Sequence, residues 1–250
     1  MSDGSVTVTP SGVRIEPDFR NNLIIDRYDP VFTRMRGRKP QHLCSENSEY
    51  AATWNVFRTL RQIDPEVWLL RLCELQNLPR LPTTYTTLEL WVRAALPPSL
   101  LSDGDEGDSE IDVVIQAPNW VWFIAAKYRS DVSLETKVRS WRDQAIRNID
   151  VGSHYAGVRE LYFSLLIHDE KYSKLGVELV RKYADLETTR AALADHRPDE
   201  LPNLRTVRLL TWQDLGIVLC AARDSARHAD ERAWAARAVK WLTEKRLFAS

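Results

Sequence analysis

The chain has 250 residues, 44% of them apolar, which is enough to bury a substantial core in one large domain or one domain with appendages and excludes an intrinsically disordered class. A formal charge of -1 with 28% charged residues leaves no global basic excess, so any nucleic-acid contact must come from local cationic patches. Three cysteines without CxxC spacing argue against a zinc site or disulfide framework, and with no apolar run of roughly 18 residues and no secretory pattern at the N-terminus the expectation is a soluble cytoplasmic protein without membrane contact.

Residues 1–42 read as an N-terminal extension. VTVTPSGVRIEP alternates around a Pro-Ser-Gly turn and predicts a small hairpin, followed by the cationic run RMRGRK, in which Arg34, Arg36, Arg38 and Lys39 are candidate phosphate contacts or simply a solvated loop. From Ser45, ENSEYAATWNVFRTLRQI repeats Tyr50, Trp54, Phe57 and Leu60 at helical spacing, and EVWLLRLCELQ predicts a second helix after Asp64-Pro65. TTLELWVRAAL suits a strand, and PPSLLSDGDEGDSE is an acidic, turn-rich loop.

IDVVIQ, the turn APN and WVWFIAAKY predict a β-hairpin. With Ser133 as N-cap and Gly152 as C-terminal stop, LETKVRSWRDQAIRNI predicts a helix whose stripe is Leu134, Val138, Trp141, Ala145 and Ile149. ELYFSLLIHD reads as a buried strand, KLGVELVRKYADLETTRAALADH as one or two helices, and LRTVRLLTW as a last strand leading into QDLGIVLCAAR. ADERAWAARAVKWLTEKRLF is a further amphipathic helix, in an appended segment 221–250 that packs on the domain or a partner. The order predicts an α/β fold, a mixed central β-sheet flanked by helices, over residues 43–220.

The hairpin holds the candidate chemistry. The period of two puts Asp112 on one face with Val114, and Phe123, Ala125 and Lys127 on one face of the second strand, so Asp112 and Lys127 can meet across the hairpin. Hydrolysing a phosphodiester calls for a hard divalent cation on a few oxygens, a water it polarises, and a cation that orients this water or steadies charge at phosphorus. Taken singly, an Asp at a strand start is ordinary turn chemistry and a Lys at a strand end is ordinarily solvated.

Asp112, a spacer of twelve residues, then Ala125-Ala126-Lys127 resembles the signature of the PD-(D/E)XK nuclease superfamily, the restriction-endonuclease-like fold: an acid, a spacer, then an acid, any residue and a lysine. The resemblance implies a Mg²⁺- or Mn²⁺-dependent DNA endonuclease. Asp112, the acid expected at 125 and the Ala126 carbonyl would hold the metal, and Lys127 would orient or activate the water. It further implies an outer contact from Glu49 or Glu46 in the helix before the sheet, and a positioning Gln144 in the helix after the lysine. Bacterial nucleases of this build often serve restriction or anti-phage defence, as homo-oligomers or with an activating protein partner.

Alanine at 125 departs from the pattern, because a methyl group coordinates no metal, and the chain as written is expected to be inactive or nearly so. Three explanations stay open: an engineered inactive form, a natural pseudonuclease that binds DNA or a protein without catalysis, or an acid displaced to a position such as Glu110. Lys137, Arg139, Arg142 and Arg147 make the helix after the hairpin cationic, suited either to a phosphate backbone or to solvent. The tryptophans read mainly as core or partner surface, with base stacking as a second role for Trp120 and Trp122. His154 and His168 are candidate bases without an identifiable partner.

Overall fold

The computed structural model describes residues 5–35, 39–103, 108–134, 142–199 and 201–249. In chain order the elements are β1 (Thr7–Val8), β2 (Arg14–Ile15), α1 (Val31–Arg34), α2 (Lys39–Leu43), α3 (Glu49–Arg61), α4 (Pro65–Leu75), β3 (Thr87–Ala94), β4 (Ser109–Ala117), β5 (Trp120–Ala126), α5 (Gln144–Ala156), β6 (Glu160–Ile167), α6 (Lys174–Ala184), α7 (Leu186–Leu193), β7 (Leu204–Thr211), α8 (Trp212–Ser225) and α9 (Ala229–Glu244). Two compact units result, Met1–Trp68 with Leu215–Ser250, and Leu69–Asp214. No helix among the described residues is long and apolar enough to cross a membrane.

The second unit contains a five-stranded sheet in the order β3-β4-β5-β6-β7. β4 runs antiparallel to both of its neighbours, β3 and β5, and β5, β6 and β7 run parallel, so the sheet is mixed and flanked by helices, as expected. Every residue of β5 is buried, which explains why WVWFIAA is an unbroken apolar run: a central strand covered on both faces has no polar side to alternate with. On one face Val114, Phe123, Ala125, Leu161, Phe163, Leu165 and Val207 share a cluster with Ala145, Ile146 and Ile149 of α5 and Val177 and Val180 of α6. On the other, Trp122 Nε1 donates to Ser164 Oγ at 3.0 Å, and that hydroxyl lies 3.3 Å from Gln76 Oε1.

Two helix starts differ from the sequence expectation. Segment 133–149 is not one helix: α5 starts at Gln144, capped by Asp143, whose carboxylate accepts the Ile146 N–H at 2.9 Å. Ser133 instead accepts the Gln144 N–H at 3.0 Å through its carbonyl, and residues 135–141, with Lys137, Val138, Arg139 and Trp141, lie outside the described residues. Gly152 is not the stop either. It lies inside α5, where an added Cβ would sit 3.0 Å from Phe123 Cδ2, and the helix ends at Gly157 with φ 61°.

In the first unit α3 starts at Glu49 rather than near Ser45, because the residues before it are committed elsewhere. Glu46 N–H donates to the Arg14 carbonyl at 2.9 Å and Glu46 Oε1 accepts the Arg14 N–H at 2.7 Å, tying that segment to β2. Ser48 therefore caps the helix, its hydroxyl accepting the Ala51 N–H at 3.1 Å. The β1–β2 hairpin forms around Gly12 at φ 81°, as the Pro-Ser-Gly turn predicts.

Candidate active site at the open end of the β4–β5 hairpin

Asp112 is the fourth residue of β4 rather than its first, and both neighbouring ladders change there. Pairing with β5 is regular from Ala117↔Trp120 to Val113↔Ile124, and one further step of that register sets Asp112 beside Ala125. Pairing with β3 passes from Leu90↔Val113 to Val92↔Ile111, so Trp91 is the residue opposite Asp112. Trp91 has φ 55°, a left-handed conformation that a bulky side chain adopts only under constraint from its surroundings.

The transverse row across the sheet is therefore Trp91, Asp112, Ala125, Leu165 and Leu209. Its one ionisable member is Asp112, half-buried, whose Oδ2 accepts the Ala126 N–H at 2.8 Å. The carboxylate thus takes an amide that faces β4 just past the last ladder pair. Ala125 beside it is 2% exposed and belongs to the apolar cluster under α5 and α6. Ala126 is fully buried.

Lys127 follows two residues after Ala125 and has a backbone held from both sides. Its N–H donates to the Leu166 carbonyl at 2.7 Å, and its carbonyl accepts the Trp212 indole N–H at 2.9 Å. The chain then turns through Arg129, at φ 53°, to Asp131, whose carboxylate accepts the N–H groups of Leu175 at 3.0 Å and Gly176 at 2.9 Å at the start of α6. Asp131 is therefore the working cap of that helix, a role Ser173 does not fill with its own side chain. Gly176 permits the approach, since a Cβ there would meet Leu165 Cδ2 at 2.7 Å.

This end of the sheet collects the carboxyl ends of three parallel strands, the location where open α/β sheets bind ligands. His168 emerges just past β6 and stacks on Tyr172, with ring centroids 5.3 Å apart and planes at 12°. Gln144 is the first residue of α5, whose Ala145, Ile146 and Ile149 pack on the Ala125 face. Glu110 is exposed on the same face of β4 as Asp112 and pairs in register with Arg93. Among the described residues no group of three or more His, Cys, Asp or Glu side chains could hold a metal ion.

Several other candidates stand differently from expectation. Arg142 is not on a cationic helix surface: it precedes α5, is fully buried, and its Nη2 donates to Asp150 Oδ2 at 2.6 Å. Arg147 is half-buried on α5, and Arg36 and Arg38 lie outside the described residues. Glu46 is outside the helix, engaged with β2, whereas Glu49 is the first residue of α3. Trp120 and Trp122 are buried, with indoles bonded to the Pro82 carbonyl at 3.2 Å and to Ser164, so neither presents a face to a base. His154 is exposed on α5.

Sequence reasoning missed a buried ionic cluster. Asp150 is fully buried and accepts from Arg142 on Oδ2 and from Arg197 Nη1 on Oδ1 at 2.9 Å, with His196 Nε2 2.9 Å from Oδ2. Arg197 also bonds Ser153 at 3.1 Å and Asp199 at 2.8 Å, and Asn203 Nδ2 closes the set by donating to the Ser153 carbonyl at 2.9 Å. The hydrogen bond from Arg197 holds the Asp199 carboxyl below its ordinary range. The one available signal was Asp150 at a helical position between the apolar Ile149 and Val151.

A scan against protein-family models finds no matching family, and searches of curated proteins and of solved structures find no match either.

Proposed function

We propose that this chain is the scaffold of a divalent-metal-dependent DNA endonuclease of the PD-(D/E)XK, restriction-endonuclease-like kind, in a form lacking one metal-binding acid. The observation that carries the reading is the row in which Asp112 and Ala125 stand side by side, with Lys127 next on the same strand face. The constrained Trp91 opposite Asp112 and the doubly anchored Lys127 backbone support it, since both hold side chains in place before any substrate arrives.

The residues present do not fit a magnesium ion. Magnesium needs several oxygen ligands in near-octahedral array, whereas the row supplies one carboxylate, already engaged by the Ala126 amide, beside a methyl group. A glutamate at 125 would restore the missing donor. Gln144 would position the lysine or the phosphate from the first turn of α5. Bacterial defence in an oligomer or with an activating partner remains the biological setting this reading implies.

The test is Ala125→Glu. In EDTA the variant should melt below the parent chain, because position 125 lies in the apolar cluster and a carboxylate there is desolvated without a partner. Mg²⁺ or Mn²⁺ should raise the melting temperature of the variant and leave the parent unmoved, and plasmid cleavage should appear with the metal and vanish on adding Asp112→Ala. A variant that folds yet shows neither metal-dependent stabilisation nor cutting would reject the nuclease and leave a non-catalytic binding module.

A further inference from the structure

The first unit contains an open concavity of about 560 Å³ lined by Asp26, Arg27, Tyr28, Arg58, Trp234 and Arg237, among others. We propose that it is a nucleotide-binding site, taking a phosphate on Arg27 and Arg237 and a flat base against Tyr28 and Trp234. The proposal is independent of the hydrolytic reading, which concerns the sheet unit.

The loop that builds this site is fixed from beneath. Ile24 N–H donates to Asn55 Oδ1 at 3.0 Å, and Trp54 Nε1 donates to the Ile25 carbonyl at 2.8 Å. Arg58 forks to both acids, Asp26 through Nε and Asp29 through Nη2 at 3.1 Å. Gln62 adds a bond to Asp26 at 3.1 Å, and the Asp29 N–H returns to the Asp26 carbonyl at 3.0 Å. This bracing holds Asp26 at φ 46°, a conformation an aspartate adopts only at tight turns.

The tip of this firmly held loop, Arg27 and Tyr28, is exposed. Tyr28 is 82% exposed, with the Arg20 guanidinium 5.2 Å from its ring centroid, and Arg20 is itself held by Asp18 at 2.9 Å. Among the described residues Arg27 makes no hydrogen bond or ion pair. Arg237, across the concavity on α9, gives one N–H to the Ile24 carbonyl at 3.2 Å and keeps its other donors available.

Charge selects the ligand. Both Asp29 oxygens are occupied, by Arg58 and by the Val31 N–H at 2.9 Å, and Asp26 is bonded to Arg58 and Gln62, so both acids are engaged within the loop. With Arg27 and Arg237 added, the lining's cations outnumber its acids, which favours an anion. Guanidinium beside an exposed phenol and a half-buried indole suits an anionic ligand with an aromatic plane, which is the chemistry of a nucleotide, free or within a single strand.

The experiment uses the full chain in EDTA at low salt, with AMP, adenosine, and a fluorescein-labelled oligothymidylate of about 12 nucleotides, read by calorimetry and anisotropy. Tyr28→Ala, Arg27→Ala and Arg237→Ala should each weaken binding about tenfold, with unchanged melting temperature, and each arginine variant should lower the salt slope by about one. Adenosine should bind more weakly than AMP. Tight AMP binding identifies a free nucleotide as the ligand, and binding of the oligonucleotide alone identifies a strand. Absence of binding by both, or binding that all three variants leave intact, overturns the proposal.

Discussion

Asp150 and Asp112 stand in the same compact unit, and the fold treats the two carboxylates in opposite ways. Asp150 is fully buried and offers its oxygens to Arg142, Arg197 and His196, within a cluster that also binds Ser153, Asp199 and Asn203. Asp112 is half-buried where two ladders change, bonded to the Ala126 amide and facing an alanine and a tryptophan of unusual backbone angle. A carboxylate enclosed by matched cations is a structural joint between α5 and the segment before β7. Asp112, where the β4–β5 ladder ends, meets a backbone amide beside one small and one apolar side chain.

The largest expected effect tests the first half of that contrast. Asp150→Ala leaves two buried guanidiniums without their acceptor and should cost about 3–5 kcal/mol, read as a fall in the urea midpoint by circular dichroism. An unchanged midpoint would mean that the cluster is not a joint.

Asp112→Ala should cost less, about 1–3 kcal/mol, by leaving the Ala126 N–H without an acceptor, and should speed hydrogen exchange at that amide. Asp112→Asn retains a side-chain carbonyl and should keep most of the stability. Equal losses in the two variants would show that the charge, rather than the hydrogen bond, is what the strand end needs.

The smallest effect is a pH dependence at the solvent rim of the cluster. Because the folded state holds Asp199 below its reference value of 3.8, the Arg197–Asp199 contact contributes stability above that value and loses it as pH falls through the lowered folded pKa. The stability difference between the parent and Asp199→Asn should therefore be present at neutral pH and vanish at strongly acidic pH. A difference that persists in acid would assign the effect to packing.

The hairpin was legible because its physics is local. A turn at Pro118-Asn119 between β-branched and aromatic runs fixes the pairing, and period-two alternation then sets Asp112, Ala125 and Lys127 on one face. The five strands and their order along the chain followed in the same way. Helix starts were less legible, since Ser48 rather than Ser45 caps α3 only because Glu46 and Ser45 are held by β2, and Asp143 rather than Ser133 caps α5. The Asp150 cluster was invisible. Its members are spread from residue 142 to residue 203, and nothing in the local pattern distinguishes a buried Arg142 from a solvated one.

What the amino-acid sequence determined alone was the kind of each main element and the face on which the hairpin residues lie, because periodicity and turn chemistry act over a few bonds. The tertiary structure decided which charges are buried, which caps prevail, that Trp91 is forced to a left-handed angle opposite Asp112, and that Arg27 and Tyr28 ride on a braced loop beside Arg237. Those outcomes depend on groups tens to hundreds of residues apart competing for the same hydrogen bonds, and that competition exists only once the chain is folded.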